Sequence, residues 1–170
     1  MANVIIQIDP STGRPPGTQL PTMTYIAAGT VGTNPTIFGP AFDGSGTTKQ
    51  YMNYVFRASN YASGNLTVDI DHICTGSATT GTVKWECAIA VVAAGAATAL
   101  TTKSFATATS TTTTVNSTSK GTSRSTVTVS NLDSLAIDNI VTLQIDRDPA
   151  NDTCTDNALI YWITVSYLST

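Results

Sequence analysis

Beyond residue 50, polar and apolar residues alternate with a period of two through most of the chain, the spacing of a strand that turns one face to a core. In "QYMNYVFR", Met52, Tyr54 and Phe56 fall on one face, and Tyr51, Asn53, Val55 and Arg57 on the other. In "GNLTVDIDHICTG", Leu66, Val68, Ile70, His72 and Cys74 oppose Thr67, Asp69, Asp71 and Ile73. In "GTVKWECAIAVV", Val83, Trp85, Cys87, Ile89 and Val91 oppose Thr82, Lys84, Glu86 and Ala88. The same rule predicts further strands over residues 100–106, 112–118, 123–129, 140–147 and 159–167. The Thr/Ser tract inside this stretch has the low complexity of a disordered segment. Threonine is β-branched and favours strand over coil, so strands are expected there, with "SKGTS" as the loop between two of them. "SNLDSLAIDN" reads either as one helical turn or as a polar loop. No window shows capped helical spacing. About eight short strands separated by turn-rich links predict an all-β, antiparallel jelly-roll sandwich.

Before residue 47 the pattern breaks. Six of the seven prolines lie at or before Pro40, interleaved with glycine. Such a segment cannot be helical and supports at most short edge strands, expected over residues 4–8 and 22–26. The chain is therefore expected to divide into an extended N-terminal arm, 1–46, and a sandwich domain, 47–170.

Charge narrows the range of functions. Charged residues make up 11% of the chain, against about 25% in an ordinary domain. A net charge of -3 and a pI near 4.7 give no electrostatic footprint for nucleic acid or for an anionic membrane, and neither is expected as a partner. The apolar runs at 87–94 and 158–163 fall far short of the ~20 residues that cross a bilayer. "MANVIIQIDPSTG" lacks the basic and long apolar regions of an export signal.

Candidate chemistry is sparse. Period two sets Asp69 and Asp71 on the face opposite His72, so the three cannot converge on one ion, and the two carboxylates read as a solvated or subunit-facing row. His72 is the single histidine. "DRDPANDTCTD" gathers Asp146, Asp148 and Asp152 into one acidic segment, readable as a plain turn-forming loop or as an oxygen-rich cation site, although EF-hand spacing is absent. Cys74, Cys87 and Cys154 have no metal-knuckle spacing and read as buried thiols, with a Cys74–Cys87 bridge as the alternative. Trp85 and Trp162 sit mid-strand and are expected in the core. No nucleophile elbow or phosphate loop is present, so neither an enzyme nor a cofactor is expected.

The strand ending in Phe56 and Arg57, the "YASG" entry to the next strand, "TTGTVKWE" and the "RDPAND" loop before an apolar last strand resemble a domain of virion proteins of tailed bacteriophages, over about residues 50–167. The resemblance implies a jelly roll that works by assembly, usually as a homotrimer. It would act as a capsid decoration (cement) protein on the major capsid protein, or as part of a tail fibre, and carries no catalytic residues. It further implies a place on the capsid exterior. Free thiols and the lack of an export signal fit synthesis in the host cytoplasm, and the arm, which the resemblance does not cover, is expected to make the contacts through Ile5, Ile6, Pro15, Pro16 and Tyr25. A carbohydrate-binding module is the rival reading. It would need Tyr51, Tyr54 and Trp85 facing solvent, and alternation turns Tyr54 and Trp85 inward.

Overall fold

The computed structural model describes residues 2–26, 33–98 and 100–170. Ten strands form two antiparallel sheets, and no α-helix occurs among the described residues. The strands are β1 (Asn3–Ile8), β2 (Thr22–Ile26), β3 (Ile37–Phe42), β4 (Gln50–Arg57), β5 (Tyr61–Cys74), β6 (Thr82–Val92), β7 (Thr109–Thr114), β8 (Thr122–Val129), β9 (Ile140–Arg147) and β10 (Ala158–Ser169). The larger sheet runs β2-β3-β10-β5-β8, with β1 also on β10; the smaller runs β4-β9-β6-β7. From β3 onward the two orders, 3-10-5-8 and 4-9-6-7, are those of a jelly roll. The expected fold class is thus the observed one.

Alternation builds the core as expected. Leu66, Val68 and Ile70 of β5 meet Val83, Trp85 and Ile89 of β6 and Leu143 and Ile145 of β9 in one continuous cluster. At its centre the Trp85 ring takes Phe42 edge-on at 5.0 Å and His72 at 5.5 Å. Such edge-to-face pairs add to the burial itself.

Residues 1–46 depart from the expected free arm. The anticipated strands at 4–8 and 22–26 are present as β1 and β2, but β1 lies along β10 from Asn3–Leu168 to Ile8–Ile163. Phe42 of β3, moreover, is a fully buried core side chain. Between β1 and β2 the chain runs beside β4: Arg14 and Asn53 exchange backbone hydrogen bonds at 2.8 and 3.0 Å, and Tyr51 donates to the Gln19 carbonyl at 2.9 Å. The segment lacks its own core and completes the edges of both sheets. β3 escapes a sequence reading because "IFGPAF" carries Gly and Pro in mid-run, both of which weaken a strand assignment. Here they are accommodated. β10 pairs with β3 only at Ala158–Phe42 and Leu159–Ala41, short of Pro40. At Gly39 an added Cβ would lie 2.0 Å from the Ile160 carbonyl oxygen, so the close approach of β10 requires glycine.

Two further expectations change, and one open alternative is decided. Residues 100–106 form no strand: a 3-10 turn at Leu100–Thr102 leads into an extended stretch whose Ala106 amide bonds to the Ile89 carbonyl at 2.9 Å. The strand expected at 112–118 lies a little earlier, as β7. "SNLDSLAIDN" is a polar loop, with Asp133, Ser134 and Asp138 at positive φ.

Candidate functional site

The two faces of β5 behave as alternation requires. His72 is fully buried beneath Trp85, while Asp71 and Asp69 lie on the outer face of the large sheet. There Arg124 of β8 grips Asp71 with Nε–Oδ1 at 2.7 Å and Nη2–Oδ2 at 2.8 Å, and Thr126 donates to Asp69 at 2.6 Å. Both carboxylates have partners within the sheet, an arrangement that serves pairing between strands. Burial holds the His72 imidazole down at about 4, so it is neutral.

Asp146, Asp148 and Asp152 do not share a cation site. Alternation along β9 sends Asp146 outward and Arg147 inward; Asp148, just past the strand, again points outward. Outside, Lys84 binds Asp148 at 2.9 Å and Glu86 at 3.3 Å, while Lys49 pairs with Glu86 and lies 3.7 Å from Asp146. Three carboxylates thus share two ammonium groups. Asp146 is the most deeply buried of the three: its Oδ1 has no hydrogen-bond partner, and burial pushes its carboxyl up to about 7. Inside, Asp152 returns to meet Arg147, which is fully buried, with Nε–Oδ2 at 2.7 Å and Nη2–Oδ1 at 3.2 Å. Arg147 also donates to the carbonyls of Asp156 (2.7 Å), Phe42 (3.2 Å) and Cys154. The loop, readable in sequence as a plain turn or as a cation site, is held by the guanidinium of Arg147. Among the described residues no group of three or more His, Cys, Asp or Glu side chains is placed for a metal.

Of the proposed contact residues, Ile5 and Tyr25 are 63% and 65% exposed, and Pro15 is also exposed. Pro16 and Ile6 are half-buried, and Ile6 packs against the core. An open apolar surface lies on the β2–β3 hairpin. Tyr25 stands opposite Phe38 and Met23 opposite Pro40. The row Phe42, Pro40, Phe38 begins in the core and runs outward until Phe38 is 50% and Met23 40% exposed. On the other face, Ile26, Ile37 and Tyr161 close over Ala41, Ile73 and Leu159 as a second small core. That core anchors the hairpin and leaves its first face uncovered. A cavity of about 400 Å³ beside it is lined by Thr22, Thr24, Ile26, Lys120 and Asn157, among others.

Trp162 was expected inside and is 40% exposed. A β-bulge between Ile160 and Trp162 breaks the alternation: Ile160 pairs with His72 inward, and Trp162 pairs with Asp71 outward. Trp162 alternates regularly with the buried Ile163, Val165 and Tyr167, so the pattern itself sets it outside, and a place in mid-strand is the weaker guide. Trp85 and Tyr54 are buried as alternation requires.

A second concavity, of about 290 Å³, lies on the outer face of the small sheet. Its floor includes Ala90, Val92 and Thr142, with Asn53 and Val55 of β4 beside them; Arg14 stands at one rim and Lys103 and Phe105 at the other. Gln144 donates to Asn53 at 3.3 Å at this level of the sheet.

No family profile matches the chain. No curated protein matches it in sequence. Among solved structures, it is similar to the CBM36-1 domain of a multidomain xylanase from the hindgut metagenome of Trinervitermes trinervoides, at 13% identity and TM-score 0.49, over 99% of this chain and 100% of that one. It is also similar to an Arthrobacter globiformis isomalto-dextranase complexed with panose, at 12% identity and TM-score 0.50, over 95% of this chain but only 23% of that one. At these identities the likeness is one of fold, a two-sheet β-sandwich.

Proposed function

We propose that this chain is a structural virion protein of a tailed bacteriophage, a capsid decoration protein that acts without catalysis as a trimer on the major capsid lattice. The observation that carries this reading is the uncovered apolar face of the β2–β3 hairpin, with Met23, Tyr25 and Phe38 fixed on a rigid two-stranded platform. Large apolar groups grouped on one exposed face mark a contact surface. The sequence resemblance over residues 50–167 supplies the kind of assembly. The charge-poor outer faces, rich in Thr and Ser, suit broad hydrogen-bonded contacts between subunits. The test is the copy number of the chain in purified particles, with capture by the intact shell of wild type and of Tyr25→Asp/Phe38→Asp. A ratio near one to one with the most abundant protein, and loss of capture by the variant, is expected. A few copies per hundred would move the assignment to the tail or fibre. Absence from particles would overturn it.

The groove on the small sheet favours a second reading, a carbohydrate-binding module. Half-buried amides beside a floor of small side chains, with Arg14 and Phe105 at the rims, suit a neutral oligosaccharide. Titration with soluble glucans and xylans, wild type against Arg14→Ala, separates the two; heat of binding lost in the variant would favour the sugar.

A further inference from the structure

The three thiols are not equivalent. Cys87, in the middle of β6, is sealed in the core against Ile145 and Thr109 in the strand register. Cys74 closes β5, and Cys154 lies in the loop between a 3-10 turn at Pro149–Asn151 and β10. Their sulfurs stand 3.2 Å apart, although the residues are 80 positions apart in the chain. A disulfide needs about 2.05 Å, so about 1 Å of approach remains. Both side chains are almost wholly buried, at 5% and 1% exposure. The neighbourhood fixes Cys154 in place, since its carbonyl accepts from Arg147 and the next turn is held by the Asp156 carbonyl on the same guanidinium.

We propose that Cys74 and Cys154 form a disulfide in an oxidising medium, with Cys87 remaining free, and that this bridge locks the 152–157 loop to β5. The oxidant is a low-molecular-weight disulfide such as oxidised glutathione. One cysteine thiolate attacks a glutathione sulfur and releases one glutathione thiol. The second cysteine then attacks the protein sulfur of the mixed disulfide and releases the other. Two protein thiols become one S–S bond, their two protons and two electrons leaving on two glutathione thiols. Burial, together with the neighbouring Cys154 thiol, pushes the Cys74 thiol up to about 12, so exchange in the folded protein is slow and waits for opening of the loop, whereas refolding in a redox buffer is fast. The bridge is independent of what the protein binds.

The experiment is thiol counting and peptide mapping of the full chain, reduced and after refolding in a glutathione redox buffer. Free thiols are expected to fall from three to one, with a single cross-linked peptide joining Cys74 to Cys154. The thermal midpoint is expected to rise by roughly 10 °C, because a long loop is closed. Cys154→Ala is expected to keep two free thiols in both media, with no such rise; if that variant does not fold, the map of the intact chain decides. Three persistent thiols, a bridge that includes Cys87, or glutathione adducts alone would overturn the proposal.

Discussion

Arg147 is a charge placed where charge is expensive, and the chain surrounds it accordingly. Asp152 neutralises the guanidinium bidentately, and the carbonyls of Phe42 in β3 and of Cys154 and Asp156 in the loop before β10 take further donors. Removing one partner of a buried pair leaves the other uncompensated. Arg147→Met is therefore expected to cost about 3–5 kcal/mol in chemical denaturation, and a loss below about 1 kcal/mol would contradict this account. His72 and Asp146 set the response to pH, and they oppose each other. The folded pKa of His72 lies near 4, against 6.5 in the unfolded chain, so the stability it contributes above pH 6.5 is lost as pH falls toward 4. The folded pKa of Asp146 lies near 7, against 3.8 unfolded, so its contribution is full below pH 3.8 and is lost as pH rises through 7. Each amounts to at most about 3–4 kcal/mol. Over pH 4–7 the wild type is expected to show a nearly flat thermal midpoint. Asp146→Asn is expected to show a midpoint that falls steadily from pH 6.5 to 4, and a flat profile in this variant would contradict the assignment. At this scale the sequence was readable wherever period two held: it separated Asp69 and Asp71 from His72 correctly. It could not show that Asp152 folds back under Arg147, because that contact depends on the path of a loop.

Single positions decide whether whole strands pair. β3 touches β10 at only two register pairs, and the approach is possible because Gly39 has no side chain to meet the Ile160 carbonyl. Gly39→Ala is expected to push β3 away from β10, costing about 1–3 kcal/mol and raising amide exchange in Ala41 and Phe42. Unchanged exchange there would show that β10 can shift without cost. The strands legible in advance were β1, β2, β4, β5, β6, β8, β9 and β10, most clearly where alternation is clean and side chains are large, as in β4, β5, β6 and β9. β3 was hidden by its Gly and Pro. The outward turn of Trp162 was open to alternation with Ile163, Val165 and Tyr167; what the bulge hid is that Ile160 also faces inward. Residues 100–106 have apolar spacing but lie beside β6 without joining the sheet ladder.

Across the whole molecule, the first 46 residues belong to both sheets. β1 covers one side of β10, Phe42 packs against Trp85, and the Arg14 and Gln19 backbones lie on the edge of β4. Composition suggested a detachable arm because Pro and Gly dominate it, but composition does not report what a segment lies against. Deleting 1–46 is expected to abolish cooperative thermal unfolding, since it strips the core of Phe42 and Ile8 and leaves β10 unpaired along one side. A truncated chain with a sharp transition would restore the arm model. Capsid attachment is better probed by surface substitutions on the β2–β3 hairpin than by truncation.

β10 sits at the centre of the large sheet, yet it is the last strand in chain order. β5 takes one of its sides and β1 and β3 share the other, so their partner is made only after residues 158–169 have left the ribosome. Until then β1 has no strand partner and β3 has only β2, and the longest-range pairings close last and slowly. Soluble yield in the cell is therefore expected to rise when initiation is slowed or a holdase chaperone is co-expressed, and a yield unchanged by both would contradict this order of assembly.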